Sequence, residues 1–306
     1  TYERLFYVMH FPKIFDRPFV YGVPRNDNVR RMSMRQARSI VALLEKRMDI
    51  NEHIKGIDAC SSEIACRPEV FGQVFRYLSD VIVMCSEIRK NEVRTSYKTR
   101  SLYTTYHVGE DFFDIADGLR AIDEALLFCG LKRGSRLGHA LALGIDPEEY
   151  FNFKGYKVVL SKQILLDDIV WILCKADEYG LQINRPLKTR LEETYIDLFN
   201  EIFRDNLNEK YSTSVYEYYQ SWKLRGDKPE LYRMNKDEFQ KKIEITELER
   251  FDRYQFNDSI CNDLRKNNMY YDLYFAYHFN EHVRRKGDEV TEFKTGQDYA
   301  KLMRQL

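Results

Sequence analysis

The sequence predicts an α/β protein with a parallel sheet or barrel, and three observations favour this class. Short apolar runs alternate with amphipathic stretches over residues 1–150. Each run has the length of a buried strand, and each amphipathic stretch has the apolar spacing of a helix. Polar residues follow the runs, at the positions where parallel α/β folds carry their chemistry. We therefore expect residues 1–150 to form repeated strand–helix units.

The first two units follow directly from these patterns. Residues 4–11 (RLFYVMHF) are a compact apolar run that predicts a strand, and residues 33–48 have the period of an amphipathic helix. Residues 54–63 (IKGIDACSSE) predict the second strand. A helix is expected over residues 67–85, because Pro68 suits a first helical turn.

The next two units contain most of the candidate functional residues. Residues 101–110 (SLYTTYHVGE) predict the third strand, and residues 112–131 predict an amphipathic helix. Residues 134–144 (GSRLGHALALG) predict the fourth unit. Histidines and carboxylates thus gather where the predicted strands end.

The pattern changes after residue 150. The apolar residues within 160–180 and 190–205 recur with the period of a helix. Few strands or glycine turns are expected in the Tyr-rich, charged stretch that follows. We interpret 151–290 as a large, mainly helical insertion. Residues 291–306 would then form a helix that returns to the predicted barrel.

Composition excludes several classes of protein. Hydrophobic residues make up 44% of the 306 residues and charged residues 31%, as in globular proteins. Lys plus Arg equals Asp plus Glu at 48 each, so the net charge gives no reason to expect a nucleic acid or an anionic membrane as partner. No apolar run is long enough to span a bilayer. The six cysteines have no paired spacing, which favours reduced thiols and a cytoplasmic protein.

Three motifs carry a resemblance to a known family. HVGED (107–111) ends the third strand, and RLGHALALG (136–144) ends the fourth. GIDACSSE (56–63) ends the strand before them. In this order the motifs resemble those of the adenosine deaminase family of zinc-dependent barrel hydrolases. The resemblance implies a partial TIM-type (β/α) barrel, covering strands three to six of eight.

The resemblance also implies roles for individual residues. His107 would be a ligand of Zn²⁺, Glu110 the proton shuttle, and His139 the group that orients the attacking water. Zinc lowers the pKa of water towards about 7, and a carboxylic acid can protonate the purine ring nitrogen during attack. Gly109 and Ser61 would contact the substrate, although Ser61 stands where the family often has glycine.

Each of these residues has a plainer explanation when taken alone. His107 could be a hydrogen-bonded histidine at a strand end, and Glu110 could be an acid that favours the dipole of the following helix. His139 alone favours neither explanation. The joint occurrence of the three in the family's order favours the site.

Two of the family's motifs are missing. The family's first strand carries a His-x-His pair, and none occurs in these 306 residues. The family's last strand carries an Asp ligand; LLDD (165–168) is not assigned to it, because it lies in a helical stretch. We therefore expect this chain to be a fragment that is inactive alone, since one histidine cannot hold zinc tightly.

The predicted function is hydrolytic deamination of adenosine, deoxyadenosine or adenine nucleotides. The large insertion and residues 63–76 (EIACRPEVFGQVFR) resemble the deaminase subunits of bacterial RADAR antiphage systems. That likeness implies a homo-oligomer, an ATPase partner and a role in antiviral defence.

Two rival functions stay open. HFNEH (278–282) fits an H-x-x-E-H zinc peptidase if both histidines share one helix face. A non-catalytic assembly protein with a degenerate barrel is the other, because the aromatic-rich insertion would suit subunit contacts.

Overall fold

The protein was analysed as a computed structural model. It describes residues 5–47, 50, 53–79, 81–89, 92–204, 214–229 and 269–306, with the backbone alone described at 81–89, 92–100 and 269. The predicted α/β class is confirmed, since the described residues contain a four-stranded parallel sheet and many helices.

The parallel sheet is formed by the four predicted strands. They are β1 (Tyr7–Lys13), β2 (Ile54–Ser61), β5 (Tyr103–Val108) and β6 (Arg136–His139). Their order in the sheet is β1-β2-β5-β6. The four strands therefore stand in the sheet in the same order as in the chain, although β3 and β4 come between β2 and β5 in the sequence. All three pairings are parallel, and the carboxyl ends of the four strands therefore lie at one edge.

Helices follow these strands as predicted. Helix α1 (Asp27–Lys46) follows β1, and α3 (Ile115–Cys129) follows β5. Asp114 caps α3 by accepting a hydrogen bond from the backbone N–H of Asp117. Gly130 ends the helix in the left-handed conformation that favours glycine.

The helix predicted over residues 67–85 is wrong in its second half. A short 3₁₀ helix (Pro68–Val70) leads into α2 (Gly72–Ser79), which ends before the apolar run that follows. That run forms β3 (Val81–Arg89), which pairs in an antiparallel hairpin with β4 (Glu92–Arg100). A run that contains β-branched residues favours a strand over a helix, so this apolar run was wrongly assigned to the helix.

The second half of the described chain is mainly helical, as predicted, but it also contains a pair of strands. Strand β7 (Lys157–Ser161) pairs with β8 (Val290–Lys294) in an antiparallel ladder that the sequence analysis did not predict. The helices are α4 (Pro147–Phe153), α5 (Lys162–Glu178), α6 (Arg185–Phe203), α7 (Val215–Lys223), α8 (Met269–Phe279), α9 (Glu281–Asp288) and α10 (Gln297–Gln305).

The limits of the insertion stay a prediction. Residues 205–213 and 230–268 of the predicted insertion lie outside the described residues. The terminal helix expected in the last segment is confirmed as α10.

The two faces of the parallel sheet differ in burial. Phe11, Ala59, Tyr106 and Val108 point into the main hydrophobic core, where Phe75 of α2 packs against the rings of Phe11 and Tyr106. Towards the carboxyl ends of the strands, the alternate positions are exposed or partly exposed, and these are His10, Asp58, Cys60 and His107. Side chains alternate across a strand, so the polar residues share the face turned away from the core.

Candidate functional site

The carboxyl edge of the sheet brings together three of the predicted site residues. His107 lies one residue before the end of β5, and its register partner on β6 is Gly138. His139 is the last residue of β6 and pairs with Val108. The rings of His107 and His139 are 5.2 Å apart between centroids, at an interplanar angle of 51°.

Glu110 completes the group. Its Oε2 lies 3.3 Å from Nε2 of His139, and both side chains are nearly half exposed. The imidazole and the carboxyl group can therefore share a proton in a place that a ligand can reach. The convergence of His107, Glu110 and His139, which the sequence analysis required of a catalytic site, is present in the structure.

A carboxylate from the neighbouring strand orients His107. Nδ1 of His107 lies 3.0 Å from Oδ1 of Asp58 on β2. This contact leaves Nε2 as the ring nitrogen available to a further partner. Histidines that bind metals commonly have such a carboxylate on their other nitrogen.

Glycine at position 138 makes room for the His107 ring. A Cβ atom built on Gly138 would lie 2.8 Å from both Cγ and Cδ2 of His107, closer than real contacts allow. Any other residue at 138 would push the ring away or separate the strands. The glycine of the RLGH segment therefore has a packing role that is visible only in the fold.

The turn after β5 also depends on glycine. Gly109 has a φ of 76°, and a Cβ atom there would lie 2.8 Å from Cδ1 of Ile122 in α3. The backbone N–H of the next residue, Glu110, donates a hydrogen bond of 3.2 Å to Oε2 of Glu63. The turn is thus held by a carboxylate that follows β2, and it presents Glu110 towards His139.

Ser61 lies at the same edge, on the far side of the group. It ends β2, opposite Lys13 of β1, with an exposed side chain and a φ of 86°. A serine in this conformation is strained, because left-handed backbone favours glycine. No contact joins Ser61 to His107, Glu110 or His139 among the described residues, so its substrate role stays a prediction.

A buried ion pair between Lys13 and Glu63 lies under the site. Glu63 is the last residue of the GIDACSSE motif, whereas Lys13 belongs to no motif, and its Nζ lies 4.0 Å from Oε1 of Glu63. Lys13 also donates to the carbonyl oxygen of His107 and lies over the ring of Tyr106. Burial lowers the pKa of Lys13 and raises the pKa of Glu63, while the attraction between the two opposes both shifts. A lysine at the end of an apolar strand was the signal that could have found the pair.

A second cluster lies on β1 and β2. Nδ1 of His10 lies 3.0 Å from Sγ of Cys60 and 4.0 Å from Oδ2 of Asp58. One ligand atom from each residue lies within 4.8 Å of the others, so His10, Asp58 and Cys60 could hold a metal ion. The spacing of metal motifs along the chain does not reveal this cluster, because its members come from adjacent strands.

The thiol of the cluster is not an activated nucleophile. Burial raises the pKa of Cys60, and the negative charge of Asp58 raises it further. The thiol is therefore protonated at neutral pH, which argues against nucleophilic catalysis by a Cys–His pair. Cys60, Cys66, Cys129 and Cys174 are reduced thiols, as predicted, whereas Cys85 and Cys261 lie outside the residues whose side chains are described.

The peptidase motif is not on one helix. Helix α8 ends at Phe279, and α9 begins at Glu281 after Asn280, whose side chain caps α9. His278 is 1% exposed and packs against the rings of Tyr274 and Tyr277. Burial holds the pKa of His278 well below its usual value. The helix break removes the regular i, i+4 spacing that the peptidase hypothesis required.

Asp167 and Asp168 lie in helix α5, as the sequence analysis expected when it declined them as ligands. Asp167 is bound by Arg225 at 2.6 Å, and Asp168 by Arg120 at 2.6 Å. Both carboxylates are buried in ion pairs between helices.

Comparison with models of known protein families found no match, and comparison with curated proteins found none either. In the part of the chain that the structure describes, no helix has both the length and the apolar character needed to cross a membrane.

Proposed function

We propose that this chain is part of a hydrolase that deaminates adenine nucleosides or nucleotides at the carboxyl edge of its parallel sheet. The observation that carries the proposal is the convergence of His107, Glu110 and His139 at that edge. Two of these residues share a contact of 3.3 Å, and the third lies beside them with its orientation set by Asp58.

The proposal includes a (β/α) barrel. Four parallel strands stand in chain order in the sheet, which is the order that barrels have and that doubly wound sheets lack. The face of the sheet that carries His10, Asp58, Cys60 and His107 would be the interior of that barrel. Active sites of such barrels lie at the carboxyl ends of the strands, where the three residues meet.

The side chains have separate tasks in the proposed reaction. The carboxyl group of Glu110 gives a proton to the purine ring nitrogen beside the carbon that is attacked. His139, in contact with Glu110, accepts the proton of the attacking water and fixes its direction. The amino group then takes the proton that His139 received and leaves as ammonia, while Glu110 takes back a proton from the new hydroxyl group, and the inosine form remains.

Zinc is the cofactor that this chemistry implies. When bound, it would lower the pKa of a water molecule so that a nucleophile exists at neutral pH. His107 would bind it through Nε2, with Asp58 behind on Nδ1. His10, Asp58 and Cys60 form a second group of nitrogen, oxygen and sulfur donors on the two neighbouring strands, which are the donor types that zinc takes.

Activity is tested on the protein expressed from its complete reading frame. Adenosine, AMP and ATP are each incubated with it, and loss of adenine absorbance and release of ammonia are measured. Glu110→Gln is expected to lower the rate about 10²- to 10⁴-fold, because the amide cannot supply the proton. The matched control is Glu193→Gln, an exposed glutamate of α6. Equal rates in the Glu110 variant and the wild type would contradict the proposal.

The metal is tested separately from activity. Co²⁺ replaces zinc, and a thiolate ligand gives it a charge-transfer absorption in the near ultraviolet. That absorption is expected in the wild type, and it should be lost in Cys60→Ser but kept in Cys174→Ser, which changes a partly buried thiol of α5. His107→Ala is expected to lower the bound metal per chain. Unchanged metal binding in both His107→Ala and Cys60→Ser would contradict a metal site at this edge of the sheet.

The biological setting follows only from the resemblance. A homo-oligomeric assembly, an ATPase partner and a role in antiphage defence stay predictions.

A further inference from the structure

A cavity of about 770 Å³ lies away from the proposed active site. Its walls are the loop before α1, the helix α1 itself, and residues from three later segments that include Gln73, Lys228 and Arg284. None of the residues at the carboxyl edge of the sheet lines it. Its volume lies in the range of small-molecule binding sites, about 300–1,000 Å³.

The cavity is strongly basic. Seven of its lining residues are arginine or lysine, and two are aspartate. The chain as a whole has no net charge, so this excess is a local feature. Like charges around one cavity repel one another, and a bound anion would remove that repulsion.

The two aspartates are already paired with two of the cations. Asp16 lies 2.6 Å from Nη2 of Arg284 and also accepts a hydrogen bond from the backbone N–H of Asn26. Asp27 lies 2.8 Å from Nε of Arg31, one helical turn away. Neither carboxylate is therefore available to neutralise the remaining cations.

Four of the remaining cations have no carboxylate partner among the described residues. Arg35 and Arg38 stand on the exposed side of α1, Arg17 lies in the loop before that helix, and Lys228 lies after α7. No ion pair of the described chain includes any of the four. Guanidinium groups bind phosphate oxygens through two parallel N–H groups, and lysine binds them as a point charge.

Arg30 supplies the observation that distinguishes this cavity from a merely basic surface. It is 8% exposed and lines the cavity, and its Nη2 donates to the carbonyl oxygen of Arg225 at 3.0 Å. Its Nε and Nη1 atoms are buried without a hydrogen-bond partner. Glu69 is the nearest carboxylate, at 3.9 Å from Nη2, beyond hydrogen-bond distance. A buried charged group with unmatched donors is costly, and an anion bound in the cavity beside it would offset the charge of this guanidinium group.

We propose that this cavity binds a small polyphosphate, of the class of a nucleoside triphosphate, with Arg30 at its floor and Arg35 and Arg38 at its rim. The volume favours a small molecule, and the number of unpaired cations favours several phosphate groups over one. The site is separate from the proposed deaminase site, and it does not depend on that function.

Binding is measured by isothermal titration calorimetry on the complete protein, with tripolyphosphate, ATP and adenosine as separate probes. Tripolyphosphate, which has no adenine for the proposed active site to hold, is expected to bind one per chain, more weakly as salt concentration rises, because the contacts are ionic. ATP is expected to compete with tripolyphosphate for the cavity. Adenosine is expected not to displace tripolyphosphate.

The variant that tests the cavity is the double change Arg35→Gln with Arg38→Gln. Both side chains are exposed, so folding is expected to be unaffected. Affinity for tripolyphosphate is expected to fall at least about tenfold, from the loss of charged hydrogen bonds. Arg185→Gln, an exposed arginine at the start of α6 that does not line the cavity, is the matched control and should bind as the wild type does.

Three results would overturn the proposal. They are absence of tripolyphosphate binding, equal binding by the double variant and the wild type, and binding of single-stranded RNA without binding of tripolyphosphate. Adenosine deamination is measured on the same double variant. Because the cavity excludes His107, Glu110 and His139, loss of polyphosphate binding with normal deamination separates this site from the proposed function.

Discussion

Two regions of this protein are rich in ionisable side chains, and they differ in almost every physical respect. At the carboxyl edge of the sheet, His139 and Glu110 are 48% and 43% exposed and have few fixed partners. Between α3 and α5, Arg120 and Asp168 are at most 2% exposed and lie 2.6 Å apart. Asp117, Glu124 and Asp167 also lie around the same guanidinium group.

The difference separates charges that stabilise the fold from charges that are free to react. A buried ion pair is fixed by several hydrogen bonds, and removal of one member leaves the other uncompensated in a medium of low polarity. An exposed histidine and glutamate lose little when one is removed, because water replaces the partner. Charge alone therefore does not identify a functional site, whereas accessibility together with convergence does.

The largest expected effect is on stability, from Arg120→Met. The change leaves Asp168 without the cation that lies 2.6 Å from it, although Asp117 and Glu124 keep Arg67, and the free energy of unfolding should fall by about 3–5 kcal/mol. Urea denaturation measures it. The control is Arg31→Met, which removes an exposed pair with Asp27 and should cost under about 1 kcal/mol. A loss for Arg120→Met as small as that of the control would mean that the network does not stabilise the fold.

The second expected effect is on the pH dependence of stability, through Asp114. Burial raises the pKa of this helix-capping carboxyl group to about 7, although the N–H of Asp117 opposes the shift. Its folded pKa lies above its ordinary value near 4, so the stabilisation is present below about pH 4 and is lost as pH rises to about 7. Asp114→Asn should reduce this loss of stability between pH 4 and pH 7 by up to about 4 kcal/mol, since Asn caps a helix as well as Asp. Urea denaturation from pH 4 to pH 8 measures it.

Asp146 provides a control of opposite sign. It caps helix α4, and the hydrogen bond from the N–H of Glu149 lowers its pKa. Its contribution is present above pH 4 and is lost as pH falls. Asp146→Asn should therefore reduce stability at neutral pH. If both variants changed the pH dependence of the free energy of unfolding in the same direction, burial would not be the cause of the pH dependence that Asp114 contributes.

A smaller effect is expected from Gly138→Ala. The added methyl group would lie 2.8 Å from the His107 ring, which should cost about 1–3 kcal/mol and turn the ring away from Asp58. Urea denaturation and the NMR signals of the His107 ring measure the two consequences. Gly144→Ala, whose methyl group would have its nearest neighbour at 3.7 Å, should leave both unchanged. An unperturbed His107 ring in the Gly138 variant would contradict the packing role of that glycine.

The smallest effect on stability is expected from the residue with the largest proposed role in catalysis. Glu110→Gln should change the free energy of unfolding by no more than about 0.5 kcal/mol, because the side chain is half exposed. Glu124→Gln, in the buried network, should cost about 1–3 kcal/mol in the same urea assay. If the two variants were equally destabilised, the contrast between the regions would fail.

The sequence predicted some of this and not the rest, for reasons that differ by residue. The four strands of the parallel sheet were predictable, because buried parallel strands are short apolar runs. The hairpin of β3 and β4 was missed, because an apolar run can belong to a helix or a strand and its length does not decide. His107, Glu110 and His139 were identified by their motifs. Lys13 and the cluster of His10, Asp58 and Cys60 belong to no local pattern, and they were not identified.

The sequence by itself determined the α/β class, the strand ends on which the candidate residues lie, and the helical character of Asp167 and Asp168. These depend on local periodicity and on neighbours in the chain. Only the tertiary structure decided which side chains meet: Asp58 with His107, Cys60 with His10, and the arginines around one cavity. Such contacts join residues that are far apart in the chain, and they exist only once the strands are in register and the helices are packed against them.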